Sequence, residues 1–144
     1  MIIDLRPGLE LPSRVFGPVT MTDIVRYQGA SGDMNPMHHD DAFARTAGYP
    51  EAFGVGMLNA GYLATYCTDM FGTDTVRRFR TRFRGLVWRG DTLVATGRVD
   101  NIDSNDERDL VSVELTLATD EGRVVVDGSA EFELASRNGS RAAR

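Results

Sequence analysis

The 144 residues are enough for one domain with one core and too few for two of ordinary size. With 16 Lys+Arg against 21 Asp+Glu the net charge is −5, and Arg137, Arg141 and Arg144 lie beyond the last acidic residue, Glu133, so the body is more acidic still. That balance argues against nucleic acid as the main partner. No apolar run approaches the roughly 20 residues needed to span a bilayer, so no membrane insertion is expected. The start, Met1 to Pro7, lacks a basic segment followed by an apolar core, and no secretory signal is expected. The single Cys67 rules out an internal disulfide and fits a reducing cytoplasm. It sits in an apolar stretch and reads as a buried, inert thiol.

In chain order, Val15 to Val19 reads as a short strand. Thr20 or Thr22 then caps a helix through Ile24, Val25 and Tyr27 that ends near Gly29. Asp40 or Asp41 caps a second short helix with Phe43, Ala44 and Ala47 on its apolar side and Gly48 as its stop. Gly48, Pro50, Gly54 and Gly56 mark a loop. From Met57 to Phe71 the residues are apolar nearly all round, which predicts a helix buried on most sides. Alternation follows. Phe79, Thr81 and Phe83 face one way and Arg78, Arg80, Arg82 and Arg84 the other. Further strands are expected over Thr92 to Val99, Leu110 to Thr119 and Val124 to Leu134, the last two joined by the turn Asp120-Glu121-Gly122. Four long strands after one buried helix predict an antiparallel sheet curled around that helix, an α+β arrangement. The domain is expected to occupy residues 1–134, with 135–144 as a polar tail that frays.

The chemistry gathers in Ser31-Gly32-Asp33-Met34-Asn35-Pro36-Met37-His38. Asn-Pro favours a turn and steers its first residue away from helical geometry. A kink there turns Asp33 and His38 toward a common point, where a carboxylate and an imidazole facing one water activate it and relay a proton. The plain alternative is that Asp33 and Asn35 stabilise a turn and His38 is a surface side chain; the block as a whole favours function.

With that octet the chain resembles the MaoC-like, (R)-specific enoyl-CoA hydratase and 3-hydroxyacyl dehydratase family of hot-dog-fold proteins. The family pattern is an aromatic residue, Ser/Thr-Gly-Asp-x-Asn-Pro-x-His and an acidic residue, here Tyr27, Ser31 to His38 and Asp40. The similarity extends through Gly56-Met57-Leu58 and through Trp88-Arg89-Gly90-Asp91-Thr92-Leu93, covering about residues 5 to 134. It implies an antiparallel sheet wrapped around one long central helix. It also implies reversible addition of water to a trans-2-enoyl thioester of CoA or acyl carrier protein, with no metal and no redox cofactor. Carried over, Asp33 polarises the water, His38 holds it and moves the proton to the α-carbon, and Asn35 orients the pair. The Gly56 N–H donates to the thioester oxygen. A helix N-terminus suits that role, and one such donor is typically worth about 3 kcal/mol of barrier. The family often has His before Gly-Met-Leu, and this chain has Val55. The resemblance implies a homodimer, or a heterodimer with a related subunit.

The row Arg78, Arg80, Arg82 and Arg84 suits the phosphates of CoA or an acidic carrier protein, or else is a solvated strand face. His38-His39-Asp40-Asp41 suggests a metal only weakly, since adjacent residues point apart and no further His or Cys completes a shell. Two other functions compete with the hydratase. One is a non-catalytic or partner-dependent subunit. The other is a hot-dog thioesterase, for which Asp69 is the only carboxylate on the long helix.

Overall fold

In the computed structural model, residues 4–136 are described. The first strand is shorter than its apolar run, β1 covering Arg14–Phe16, because Gly17 at φ 100° and Pro18 break the extended backbone. Thr20 starts helix α1, Met21–Ser31, with a reciprocal cap: its hydroxyl accepts from the Asp23 N–H, and the Asp23 carboxylate accepts from the Thr20 N–H. The Thr20 hydroxyl, which donates to the Asp23 carboxylate at 2.6 Å, and then the Thr20 N–H hold the Asp23 acid below its ordinary range. The helix does not stop near Gly29. It runs on until Gly32 adopts a left-handed φ of 78° and donates its N–H to the Gln28 carbonyl at 2.9 Å.

Asp40 caps the short helix α2, Asp41–Thr46, accepting from the N–H groups of Ala42 and Phe43. Helix α3 spans Gly56–Phe71. The remaining strands are β2 (Val76–Phe83), β3 (Leu93–Ser104), β4 (Arg108–Thr119) and β5 (Val124–Ala135). They form one antiparallel sheet in the order β1-β3-β4-β5-β2. β5 therefore continues past residue 134, and the Ser136 N–H reaches the Glu107 carbonyl at 2.9 Å. The first two residues assigned to the tail belong to the sheet end, and the rest of the tail, 137–144, lies outside the described residues.

The inward row of β4, Val111, Val113, Leu115 and Leu117, is buried as its alternation requires. It meets Leu63, Tyr66 and Cys67 of α3, with Phe132 of β5 stacked on Phe71. Fully burying an aliphatic or aromatic side chain contributes about 2 kcal/mol, so this layer dominates stability. Cys67 lies inside it, and burial pushes its thiol up to about 12. That matches the inert thiol expected from sequence.

α3 is covered less completely than its composition suggests. Met57, Thr65 and Asp69, four or eight residues apart, form an exposed stripe because a single sheet covers only one side of a helix. The sheet and its central helix make the α+β hot-dog arrangement that the resemblance implied.

Candidate active site

Asp33, Asn35 and His38 occupy the turn between α1 and α2, and each is held locally. Asn35 does two jobs. Its N–H donates to Asp33 Oδ1 at 3.3 Å, and its own Oδ1 accepts from the Met37 N–H at 3.0 Å. The second bond caps the single 3-10 turn, Pro36–His38, that carries the imidazole.

His38 is 8 % exposed and Asp33 is open to solvent. The imidazole Nδ1 lies 2.9 Å from the Phe53 carbonyl oxygen. A carbonyl only accepts, so Nδ1 carries a proton, and in the neutral ring the lone pair is on Nε2. That Nε2 stands 4.0 Å from Asp33 Oδ2. A water at about 2.8 Å from both atoms subtends an angle of roughly 90°, within reach of both its O–H bonds. The Phe53 ring also meets the His38 ring edge-on, with centroids 5.3 Å apart.

Phe53 leads directly into α3. The helix begins at Gly56 with Val55 as its cap residue and no side-chain cap bond, so among the described residues no side chain takes up its first amide groups. Val55 is buried and brings no polar group there. The Phe83 ring lies beside Gly56, 3.4 Å from where a Cβ would stand, and is half exposed. One stretch, 53 to 56, thus supplies both the anchor of His38 and an open helix N-terminus.

The chain just before that stretch is tied down by Arg89, Asp41 and Glu51, to which the sequence reading gave no such role. Arg89 Nη2 reaches both Asp41 oxygens at 3.0 Å and Glu51 Oε2 at 2.9 Å, while the Ala52 N–H donates to Asp41 Oδ1 at 2.9 Å. The Ala52 N–H first, and then Arg89, hold the Asp41 acid below its usual range. Gln28 was also missed. Its amide nitrogen donates to the carbonyls of Asp33 and Asn35, and its oxygen lies 2.9 Å from His39 Nδ1. A polar residue four after Ile24, on the stripe that α1 buries, was the available signal.

The arginine row divides. Arg78 pairs with Glu131 at 3.3 Å and Arg84 with Asp127 at 2.6 Å. Arg80 and Arg82 have no carboxylate partner among the described residues and border a shallow depression of about 490 Å³ with Glu114, Thr116, Asp127 and Ser129. Alternation along β2 puts Arg78, Arg80 and Arg82 on the face opposite Phe79, which packs into the core, so they stand away from the α3 side of the sheet. His38 and His39 direct their Nδ1 atoms to different partners, Phe53 and Gln28. Among the described residues no group of three His, Cys, Asp or Glu gathers around one point. Nor is any helix among them long and apolar enough to cross a membrane.

Residues 6–122 match the family model described as the MaoC like domain. The chain belongs to the MaoC-like family. Over 121 residues it is 30 % identical to an "(R)-specific enoyl-CoA hydratase" of Rhodospirillum rubrum, covering 83 % of this chain and 82 % of the relative. Among solved structures, an (R)-hydratase from A. caviae involved in PHA biosynthesis superposes with a TM-score of 0.80 at 22 % identity, covering 91 % of this chain and 98 % of that one. A chain of the ChsH1-ChsH2 complex from Mycobacterium tuberculosis gives 0.77 at 22 %, covering 90 % and 98 %. At such identities the structures speak for the fold of this MaoC-like chain.

Proposed function

We propose that this MaoC-like chain is a lyase that reversibly hydrates trans-2-enoyl thioesters to (R)-3-hydroxyacyl thioesters. The observation that carries the reading is the Asp33 Oδ2 to His38 Nε2 separation of 4.0 Å, with Nε2 left basic by the bond to Phe53. A water between them donates one O–H to the carboxylate and the other to the imidazole. As its oxygen bonds to C3, one proton passes to the pair and returns to C2. The second stays on the new hydroxyl, so no redox change occurs. Negative charge builds meanwhile on the thioester oxygen, and the uncapped Gly56 N–H is the donor for it. CoA and an acyl carrier protein both present phosphate. Of the β2 arginines, Arg80 and Arg82 are those whose charge no carboxylate in the described residues meets. Identity to a named hydratase over four-fifths of both chains supports the reaction class.

The thioesterase reading loses its carboxylate. Asp69 is in the last turn of α3, exposed and paired with Arg14. The partner-dependent reading retains specific support: Val55 adds no polar group beside Gly56, and β2 is an edge strand ending in the half-exposed Phe83. We therefore propose pairing along this edge, with a second copy or a related hot-dog subunit.

The deciding test follows the enoyl absorbance of crotonyl-CoA and a longer trans-2-enoyl-CoA with the purified chain. Decay of the signal with (R)-3-hydroxyacyl product supports the hydratase. A flat trace with both substrates, and with the enoyl carrier-protein thioester, overturns activity of the chain alone. Recovery on adding a related subunit then establishes partner dependence.

A further inference from the structure

We infer that Gln28 is the positioning residue of the catalytic turn: a single buried amide that sets where Asp33 stands relative to His38. Gln28 is 1 % exposed, and its side chain makes three hydrogen bonds. Nε2 has two hydrogens, and they go to the Asp33 carbonyl at 2.8 Å and the Asn35 carbonyl at 3.0 Å. The arc Asp33-Met34-Asn35 is thereby pinned at both ends to one atom.

The amide has only one workable orientation. Flipped, its oxygen would face two carbonyl oxygens in a buried site, an arrangement with no hydrogen left to share. Oε1 must then face His39 Nδ1 at 2.9 Å, so His39 holds its proton on that nitrogen. The backbone of Gln28 takes part as well, its carbonyl accepting the Gly32 N–H at 2.9 Å where α1 ends. One residue therefore closes the helix, pins the arc and fixes the ring that follows His38.

The consequence is geometric. With its carbonyl drawn inward to Gln28, Asp33 presents its carboxylate on the solvent side, 45 % exposed, where Oδ2 meets His38 Nε2. The same Asn35 carbonyl also accepts the His38 N–H at 3.2 Å, so the amide bears on both members of the pair through shared backbone. Gln28 touches no reacting atom. It acts through Asp33 and His38, whose misplacement by about 1 Å costs roughly a hundredfold in rate.

The effect on rate rests on the hydratase reading; the pinning of the turn does not. The test uses Gln28→Met, which keeps the shape and removes all three bonds, and Gln28→Glu, which keeps an acceptor for His39 but loses the paired donors. Amide hydrogen exchange is read at Met37 and His38 against Val113 and Leu115 of β4, with nitrogen-15 spectra of the His39 ring alongside. We expect exchange in the turn to rise at least about tenfold in both variants with β4 unchanged. The fixed His39 tautomer is expected to be lost in Gln28→Met and kept in Gln28→Glu. On enoyl-CoA, kcat is expected to fall by about tenfold or more with KM within about threefold, and the acid limb of the kcat/KM profile is expected to move. Unchanged exchange in the turn overturns the inference, as does equal loss of protection in turn and sheet. Global unfolding of both variants assigns Gln28 to the core and also overturns it. If the wild-type chain hydrates nothing, the exchange and ring spectra still decide the role of Gln28, and only the hydratase reading falls.

Discussion

The turn over residues 31–39 and the arginine face of β2 are both dense in polar groups, and they are held by opposite means. In the turn the fixing groups are buried and fully met: Gln28 by the two carbonyls of the arc and by His39, and the His38 ring by the Phe53 carbonyl, with the uncapped start of α3 alongside. On β2 the groups are exposed, and partners are shared. Glu133, held below its ordinary range chiefly by Arg77 and then Arg108, serves both arginines, while Arg78 meets its register partner Glu131 and Arg84, one residue past the strand, reaches Asp127. Buried hydrogen bonds fix geometry because an unmet polar group there is costly. Exposed pairs trade easily with water and fix little. The hydration proposed above needs atoms placed to a few tenths of an ångström, which the first region offers and the second does not.

The largest effect that would break this contrast comes from the pair itself. Asp33→Asn and His38→Ala are each expected to lower kcat on an enoyl thioester by about 10²–10⁴-fold, with the melting temperature little changed in Asp33→Asn and lowered in His38→Ala, which leaves the Phe53 carbonyl without the ring. Activity retained in either variant would remove the turn from the chemistry.

Gly56→Pro comes next. Proline is tolerated at the first helical position and lacks the N–H, and Val55 is already extended at ψ 126°. The expected loss is about 10²–10³-fold in kcat at near-constant stability, read by steady-state kinetics beside a thermal melt.

Arg89→Met sharpens the comparison with a charged cluster that serves the turn instead of the sheet. It frees the 50–53 stretch behind His38, and we expect roughly a tenfold fall in kcat and a lower melting temperature. Because the Asp41 acid is depressed in the fold, its contribution is complete above the ordinary Asp range. It is lost as pH falls through the lower folded value, so the gap between variant and wild type should close in acid. Melts at several pH values check this.

The smallest effects are expected on β2. Arg78→Ala and Arg84→Ala should each change stability by no more than about 0.5 kcal/mol by denaturant titration, with kcat unaltered. A large loss of kcat in either would show that the two regions are not separate.

What the chain determined by itself was the order of elements and the identity of the candidate reacting groups. Periodicity marks β4 and α3, and the octet from Ser31 to His38 names a carboxylate and an imidazole, because these signals lie in residues close together along the chain. Fold and family were legible from the same octet together with Gly56-Met57-Leu58. The stop of α1 was misread because a glycine ends a helix only where its φ turns positive, as Gly32 does and Gly29 does not.

Tertiary structure alone decided the rest. It chose the His38 tautomer through a carbonyl fifteen residues on, and it left two β2 arginines without carboxylate partners among the described residues. It brought Arg89 to Asp41 across 48 residues, and it leaves one stripe of α3 open. Each of these depends on which distant group meets a donor, an acceptor or a charge in space. A local pattern carries the type of a side chain and its face, but not the atom waiting opposite it.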